Sequence, residues 1–326
     1  MNTLVVLSPL PAPLVAQWLT SRLGRSDFHV VGAGEVSAAE LARAVGEAEL
    51  LLGDYTFQRR IDEAFLEGAP RLKFVQQPSV GYQHIDLEAC RRRGVQVANT
   101  PGVNDAAVAE HTLMLALMLL RHALFAHAQT SLGAWPQQEL LWDRGVYELN
   151  QKTYGVVGMG RIGRELAKRL HAFGTRIIYF DLNRLPAEVE AELHVQYKPL
   201  DHLLRLADVV SLHVPLTEAT RGLIGAKQLA LMKFSAILIN VARGECVDEA
   251  ALAQRLREKK LAGAGLDVFS QEPIAADNPL RGLENVVLTP HIAGATAEVR
   301  QRVVELAVGN VARVLRGEAP QFVLNA

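Results

Sequence analysis

The stretch "YGVVGMGRIGRELAKRL", residues 154–170, decides the fold. A β-branched run leads into Gly158, Gly160 and Gly163, and the last of these falls within a segment of helical apolar spacing. A GxGxxG pattern alone is weak; set between a strand and a helix it has a mechanism. Gly158 permits a tight turn, Gly160 lets the backbone approach a pyrophosphate, and Gly163 lets helix and strand pack closely. The helix N-terminus then presents unbonded N–H groups and a positive dipole end to phosphates. The next apolar run ends at Asp181. A carboxylate there accepts hydrogen bonds from ribose hydroxyls and repels a 2′-phosphate, so NAD is favoured over NADP. Arg184 is the one neighbour that would soften that preference.

Working outward, strands are predicted at 154–157, 176–180, 209–213, 236–241, 263–268 and 285–289, with helices at 162–172, 200–206, 226–232 and 249–259. The N-terminal region alternates in the same way. Strands fit 4–7, 29–31, 50–52, 72–75 and 95–98, and helices fit 14–23, 38–48, 61–66 and 87–93. A helix at 297–316 closes the chain. Such alternation predicts the α/β class, with mainly parallel sheets covered by helices on both faces. A length of 326 residues suggests two domains. Between the two regions an unbroken helical pattern runs over 104–128, with Leu, Met and Ala on both faces. It reads either as a buried core helix or as one that joins domains or meets a second subunit. The segment 131–151, with Trp135, Trp142 and Tyr147, has little periodicity and reads as an arm or long loop.

Composition narrows the function classes. The chain is 49% hydrophobic and 21% charged with a net charge of −1, so no electrostatic footprint for nucleic acid or an anionic membrane is visible. The run Arg91-Arg92-Arg93 reads as a solvated helix end. Two cysteines, Cys90 and Cys246, lie far apart without metal-ligand spacing. No disulfide framework and no metal are expected, and a reducing cytoplasm is the natural compartment. The N-terminus lacks a basic start, so no signal peptide is expected. The apolar stretch 106–120 contains Glu110 and His111 and is too short and too polar to span a bilayer.

Polar residues recur where the apolar runs of the second region end: Asp181, His213, Arg243, Asp267 and His291. In an open parallel sheet that edge is where ligands bind. Three residues suit hydride chemistry. Reducing a ketone requires a proton for the developing alkoxide, which a histidine such as His291 supplies. A substrate carboxylate calls for a cation, and Arg243 offers a bidentate fork. A carboxylate beside the histidine holds its ring, and Glu272 is the candidate. Ala293 and Gly294 leave space beside His291. No GxSxG, HExxH or Walker pattern competes. The remaining histidines (His29, His84, His111, His122, His127, His171, His194 and His202) read as surface or capping residues.

The chain resembles the D-isomer-specific 2-hydroxyacid dehydrogenase family over nearly its whole length. The most specific pieces are "NTPGVNDAAVAEHTL", "GVVGMGRIG", "LHVPLTEATRGLIG", "LINVARGECVDEAAL", "GAGLDVFSQEP" and "LTPHIAG". The resemblance implies a catalytic set of Arg243, Glu272 and His291. It implies a cofactor set of Gly158, Gly160, Arg161, Ile162, Gly163, Asp181, His213, Val241, Ala242, Asp267, Ala293 and Gly294, with Asp267 on the nicotinamide carboxamide. Val80 and Gly81 match the loop whose N–H groups cradle the substrate carboxylate, beside Arg243 and His291. The implied architecture is discontinuous: a flavodoxin-like catalytic domain of residues 1–100 plus 295–326, and an inserted Rossmann NAD-binding domain over 101–294. Within the latter, 104–128 is implied as hinge and homodimer helix, with 131–151 as an arm that offers Trp135 or Trp142 to a partner's pocket.

Departures from the family pattern narrow the substrate. "GDYTFQ" stands where phosphoglycerate dehydrogenases place a phosphate-gripping arginine, and Gln77-Pro78-Ser79 replaces the usual Arg or Asn followed by small residues. Glu272 separates the chain from formate dehydrogenases, which carry glutamine there. A small unphosphorylated 2-keto acid, glyoxylate or hydroxypyruvate, fits best. The alternatives are a dehydrogenase for an oxyanion such as phosphite, and a nucleotide-sensing corepressor-like binding protein.

Overall fold

The computed structural model describes residues 2–326. The chain divides into two compact units, Met1–Asn104 with Ala297–Ala326, and Asp105–Thr296. Each joint falls a few residues beyond positions 100 and 294.

The first unit is built on strands β1 (Asn2–Val6), β2 (Phe28–Gly32), β3 (Leu50–Leu52), β4 (Phe74–Gln76) and β5 (Gln96–Ala98). All pair in parallel, in the order β2-β1-β3-β4-β5, which is the flavodoxin-like doubly wound arrangement. Alternate residues serve two cores. Val5, Leu51, Val75 and Val97 face one, and Leu4, Val6, Leu50, Leu52 and Phe74 face the other. Helix Ala297–Leu315 packs on the second face through Ala307, Val308, Val311 and Ala312. Asn310, buried in this helix, donates to Gln76 Oε1 at 2.9 Å and to the Gln321 carbonyl at 2.8 Å. A buried amide satisfied in this way fixes the register of helix on sheet.

The second unit carries β6 (Thr153–Val157), β7 (Arg176–Phe180), β8 (Val195–Tyr197), β9 (Val209–Leu212), β10 (Ile237–Asn240), β11 (Gly263–Leu266) and β12 (Val286–Leu288). The order is β12-β11-β10-β9-β6-β7-β8, all parallel, and it reverses between β6 and β9. Strands β9, β10 and β11 are wholly buried, as sheets covered on both faces require. Helix Asp105–Leu120 lies close against β11 because that strand is glycine-rich. A Cβ added at Gly265 would stand 3.0 Å from Leu115 Cβ, and one at Gly263 would stand 3.1 Å from Leu119 Cδ2.

Two expectations need correction. The helix over 104–128 is not unbroken: it ends at Leu120, and a second helix, Ala123–Ser131, departs at 63°. His122 adopts φ 46°, a left-handed conformation that stops a right-handed helix. The apolar pattern runs straight through the break, so periodicity does not register it. Helix Ala187–Glu192 and strand β8 were not foreseen either; each is too short to show a period. Beyond the bend, Leu132, Trp135 and Trp142 are exposed, and Glu139–Arg144 forms a π-helical turn. Among the described residues no single helix is long and apolar enough to cross a membrane.

Candidate active site

The glycine turn sits where the strand order reverses, the switch point at which open α/β sheets bind ligands. Gly158 has φ 96°, and an added Cβ would meet the His213 backbone carbon at 2.8 Å, so only glycine fits. A Cβ at Gly163 would run into the Gly158 carbonyl. At Gly160 nothing stands within 4 Å, which leaves the N-terminus of helix Arg161–Ala172 open to an approaching group. Arg161 pairs its side chain with Asp105 at 2.9 Å, so what it offers the turn is its N–H. Asp181 Oδ2 accepts from the Met159 N–H at 2.8 Å, which ties the end of β7 to the turn. His213 is half-buried; its Nε2 lies 2.8 Å from Ser211 Oγ, and its buried Nδ1 has no protein partner among the described residues. Burial pushes its pKa down to about 3, so it stands neutral. An open helix N-terminus, a carboxylate at the ribose position and an orphaned buried nitrogen together fit a dinucleotide.

At the end of β11, Asp267 is fully buried and organises the chain beyond β12. Its Oδ1 accepts from Thr289 Oγ1 at 2.6 Å and the Ile292 N–H at 2.9 Å, and its Oδ2 accepts from the Ala293 N–H at 2.8 Å. Its carbonyl accepts the His291 N–H at 2.8 Å. These bonds hold His291 at φ 54°, a strained conformation for a non-glycine residue. Behind Thr289 stands His111, whose Nε2 lies 3.0 Å from Thr289 Oγ1 and 3.5 Å from Asp267 Oδ1. Burial lowers the His111 pKa while Asp267 pulls against it. The reading of His111 and His84 as surface or capping residues is therefore corrected. His84 is 6% exposed, and His111 is carried inward by a helix that is apolar all round. The signal for His111 was a histidine inside such a helix.

Glu272 and His291 meet: Oε2 and Nδ1 are 2.7 Å apart, and Oε1 accepts the Phe269 N–H at 3.0 Å. Burial raises the Glu272 carboxyl, but His291, the Phe269 N–H and the Arg243 charge outweigh it and leave the pKa below the ordinary carboxylate value. Arg243 follows β10 on a turn fixed by Asn240, whose Nδ2 donates to the Arg243 carbonyl at 2.9 Å and whose Oδ1 accepts the Ala242 N–H at 3.0 Å. Sequence reasoning passed over Asn240. Burial pushes Arg243 down from the usual arginine value, with Glu272 and Glu245 opposing. A guanidinium nonetheless stays charged. Val241 and Ala242, which precede it, are buried apolar residues. Among the described residues no cluster of His, Cys, Asp and Glu could hold a metal ion.

Val80 and Gly81 belong to the first unit, on the loop after β4. Asn99 Nδ2 donates to the Val80 carbonyl at 2.8 Å and Ser79 Oγ donates to the Gly81 carbonyl at 2.9 Å. The carbonyls are thus anchored, while neither N–H of this pair has a protein partner among the described residues. Such a loop presents donors to an anion.

A glycine turn at the switch point, with the Glu272–His291 contact and the half-buried Arg243 at the same strand edge, is an arrangement that suits an NAD-dependent dehydrogenase. The model for "D-isomer specific 2-hydroxyacid dehydrogenase, NAD binding domain" matches residues 113–293, and the chain belongs to this family. A glyoxylate reductase of Korarchaeum cryptofilum is 45% identical over 268 residues, 81% of this chain and 80% of that one. A solved Thermus thermophilus protein shares the fold with TM-score 0.85 and 38% identity, covering 99% of both chains. A D-lactate dehydrogenase of Aquifex aeolicus, solved with NAD and lactic acid, has TM-score 0.83 and 31% identity, covering 97% of this chain and 96% of that one. The chain is therefore an NAD-dependent oxidoreductase of 2-hydroxy acids.

Proposed function

We propose that the protein reduces a small unphosphorylated 2-keto acid, glyoxylate or hydroxypyruvate, with His291 as proton donor. The observation that carries this reading is the 2.7 Å contact between Glu272 Oε2 and His291 Nδ1. An ionised Glu272 on Nδ1 stabilises the imidazolium and orients the ring, leaving Nε2 for the substrate oxygen. Bound NADH supplies the hydride. Arg243 grips the substrate carboxylate. Asp181 holds the adenosine ribose, and the N–H groups of Arg161 and Ile162 hold the pyrophosphate.

Two features support a small substrate without phosphate. The loop after β3 offers Asp54, buried and already accepting from the Thr56 N–H at 2.9 Å, Thr56 Oγ1 at 2.7 Å and the Arg59 N–H at 3.2 Å. A phosphate would meet a negative group there. The likeness to a glyoxylate reductase over four-fifths of the chain points the same way. The test is NADH oxidation followed at 340 nm with glyoxylate, hydroxypyruvate, phenylpyruvate and phosphohydroxypyruvate, and the reverse reaction with phosphite. The highest kcat/KM is expected for glyoxylate or hydroxypyruvate. Turnover confined to the phosphorylated acid or to phosphite would overturn the assignment.

A further inference from the structure

Asp181 and Arg184 share the short loop that leaves β7, and they answer a 2′-phosphate with opposite signs. Asp181, tied to the glycine turn, repels it. A free guanidinium nearby would offset that repulsion, because the arginine fork suits phosphate. Arg184 is not free. Its Nε and Nη2 donate to the two carboxylate oxygens of Glu190 at 2.8 and 2.9 Å.

Glu190 is itself held from behind. Tyr179 Oη donates to Glu190 Oε1 at 2.6 Å and accepts the Leu185 N–H at 2.9 Å. Tyr179 is fully buried in β7, so the anchor is the sheet itself. The Glu190 side chain is 12% exposed and that of Arg184 62%, so the holder is part of the wall and the held group faces solvent. The Arg184 guanidinium also lies 5.5 Å from the Tyr197 ring centroid. With Arg184 and the Tyr179 hydroxyl bonded to it, the Glu190 carboxyl is held down at about 2, so the clamp is ionised throughout the neutral range.

The geometry points to Glu190 as a specificity-determining residue: by occupying Arg184 it withholds the only cation of the β7 loop from a 2′-phosphate. The repulsion from Asp181 then goes unanswered, and NAD is chosen over its 2′-phosphorylated counterpart. This inference rests on dinucleotide binding at the glycine turn and not on which keto acid is reduced.

Isothermal titration of NADH and NADPH into the full chain tests it. Glu190→Gln is expected to tighten NADPH about tenfold, the worth of one charge-assisted hydrogen bond, while NADH affinity stays put. Adding Arg184→Ala to that variant cancels the gain. Arg184→Ala alone brings no gain for NADPH, because it removes the cation and leaves the Glu190 carboxylate without its counter-charge. An unchanged ratio in Glu190→Gln, or a gain that survives the second substitution, would sink the proposal. So would tighter NADPH binding in Arg184→Ala alone, a measurement that stands even if Glu190→Gln fails to fold. Failure of the keto-acid assignment would leave these affinities untouched, whereas wild-type protein that binds no NADH would mean the cofactor reading itself had failed.

Discussion

Replacing His291 is expected to lower kcat by about 10²–10⁴-fold, the usual worth of a positioned general acid, while NADH binding stays intact. The backbone complicates the choice of variant. His291 stands at φ 54°, which alanine adopts only with strain and asparagine tolerates. His291→Asn therefore removes the proton donor with little disturbance of the loop, and His291→Ala adds a backbone cost. Both are expected to fall into the same range of kcat, because the chemistry dominates. Steady-state kinetics with saturating NADH read the effect. If His291→Asn kept kcat within threefold of wild type, the proton would be coming from elsewhere.

The second large effect is structural and falls on Asp267. Its carboxylate is the acceptor for Thr289 Oγ1 and for the N–H groups of Ile292 and Ala293, and the residue is fully buried. Asp267→Ala orphans these donors, each at about 1–3 kcal/mol. A total of about 3 kcal/mol lowers Tm by about 6–12 °C in a unit of this size. Activity is expected to fall further than stability, because these bonds hold His291 against its backbone strain. Asp267→Asn keeps one acceptor oxygen and is expected to lie between the two. Differential scanning calorimetry and kcat on the same preparations decide it. A melting point within about 1 °C of wild type, together with full activity, would mean that the loop is anchored by something other than this carboxylate.

What the chain discloses without a structure depends on how local the cause is. The glycine turn was legible because strand, glycines and helix are contiguous, and the close contacts at Gly158 and Gly163 are properties of that one segment. The parallel α/β class followed from alternation repeated along both regions. Glu272 and His291 could be named as partners from their chemistry. Their contact depends on the Phe269 N–H and on the Asp267 loop, which bring distant segments together. His111 escaped notice for the same reason: its partner Thr289 stands far along the chain, and only the packing of helix Asp105–Leu120 on the sheet joins them. The break at His122 was invisible because a left-handed histidine carries no glycine or proline signal. Arg184 was read as a softener of cofactor preference, and its clamp lay in a helix too short to foresee.

In the proposed function, Arg243 and His291 fix the keto acid beside bound NADH so that one face of its carbonyl receives the hydride. The most direct measurement is the configuration of the product when hydroxypyruvate is reduced with NADH, read by chiral chromatography. D-glycerate alone is expected. A racemic product, or the L-isomer, would contradict it.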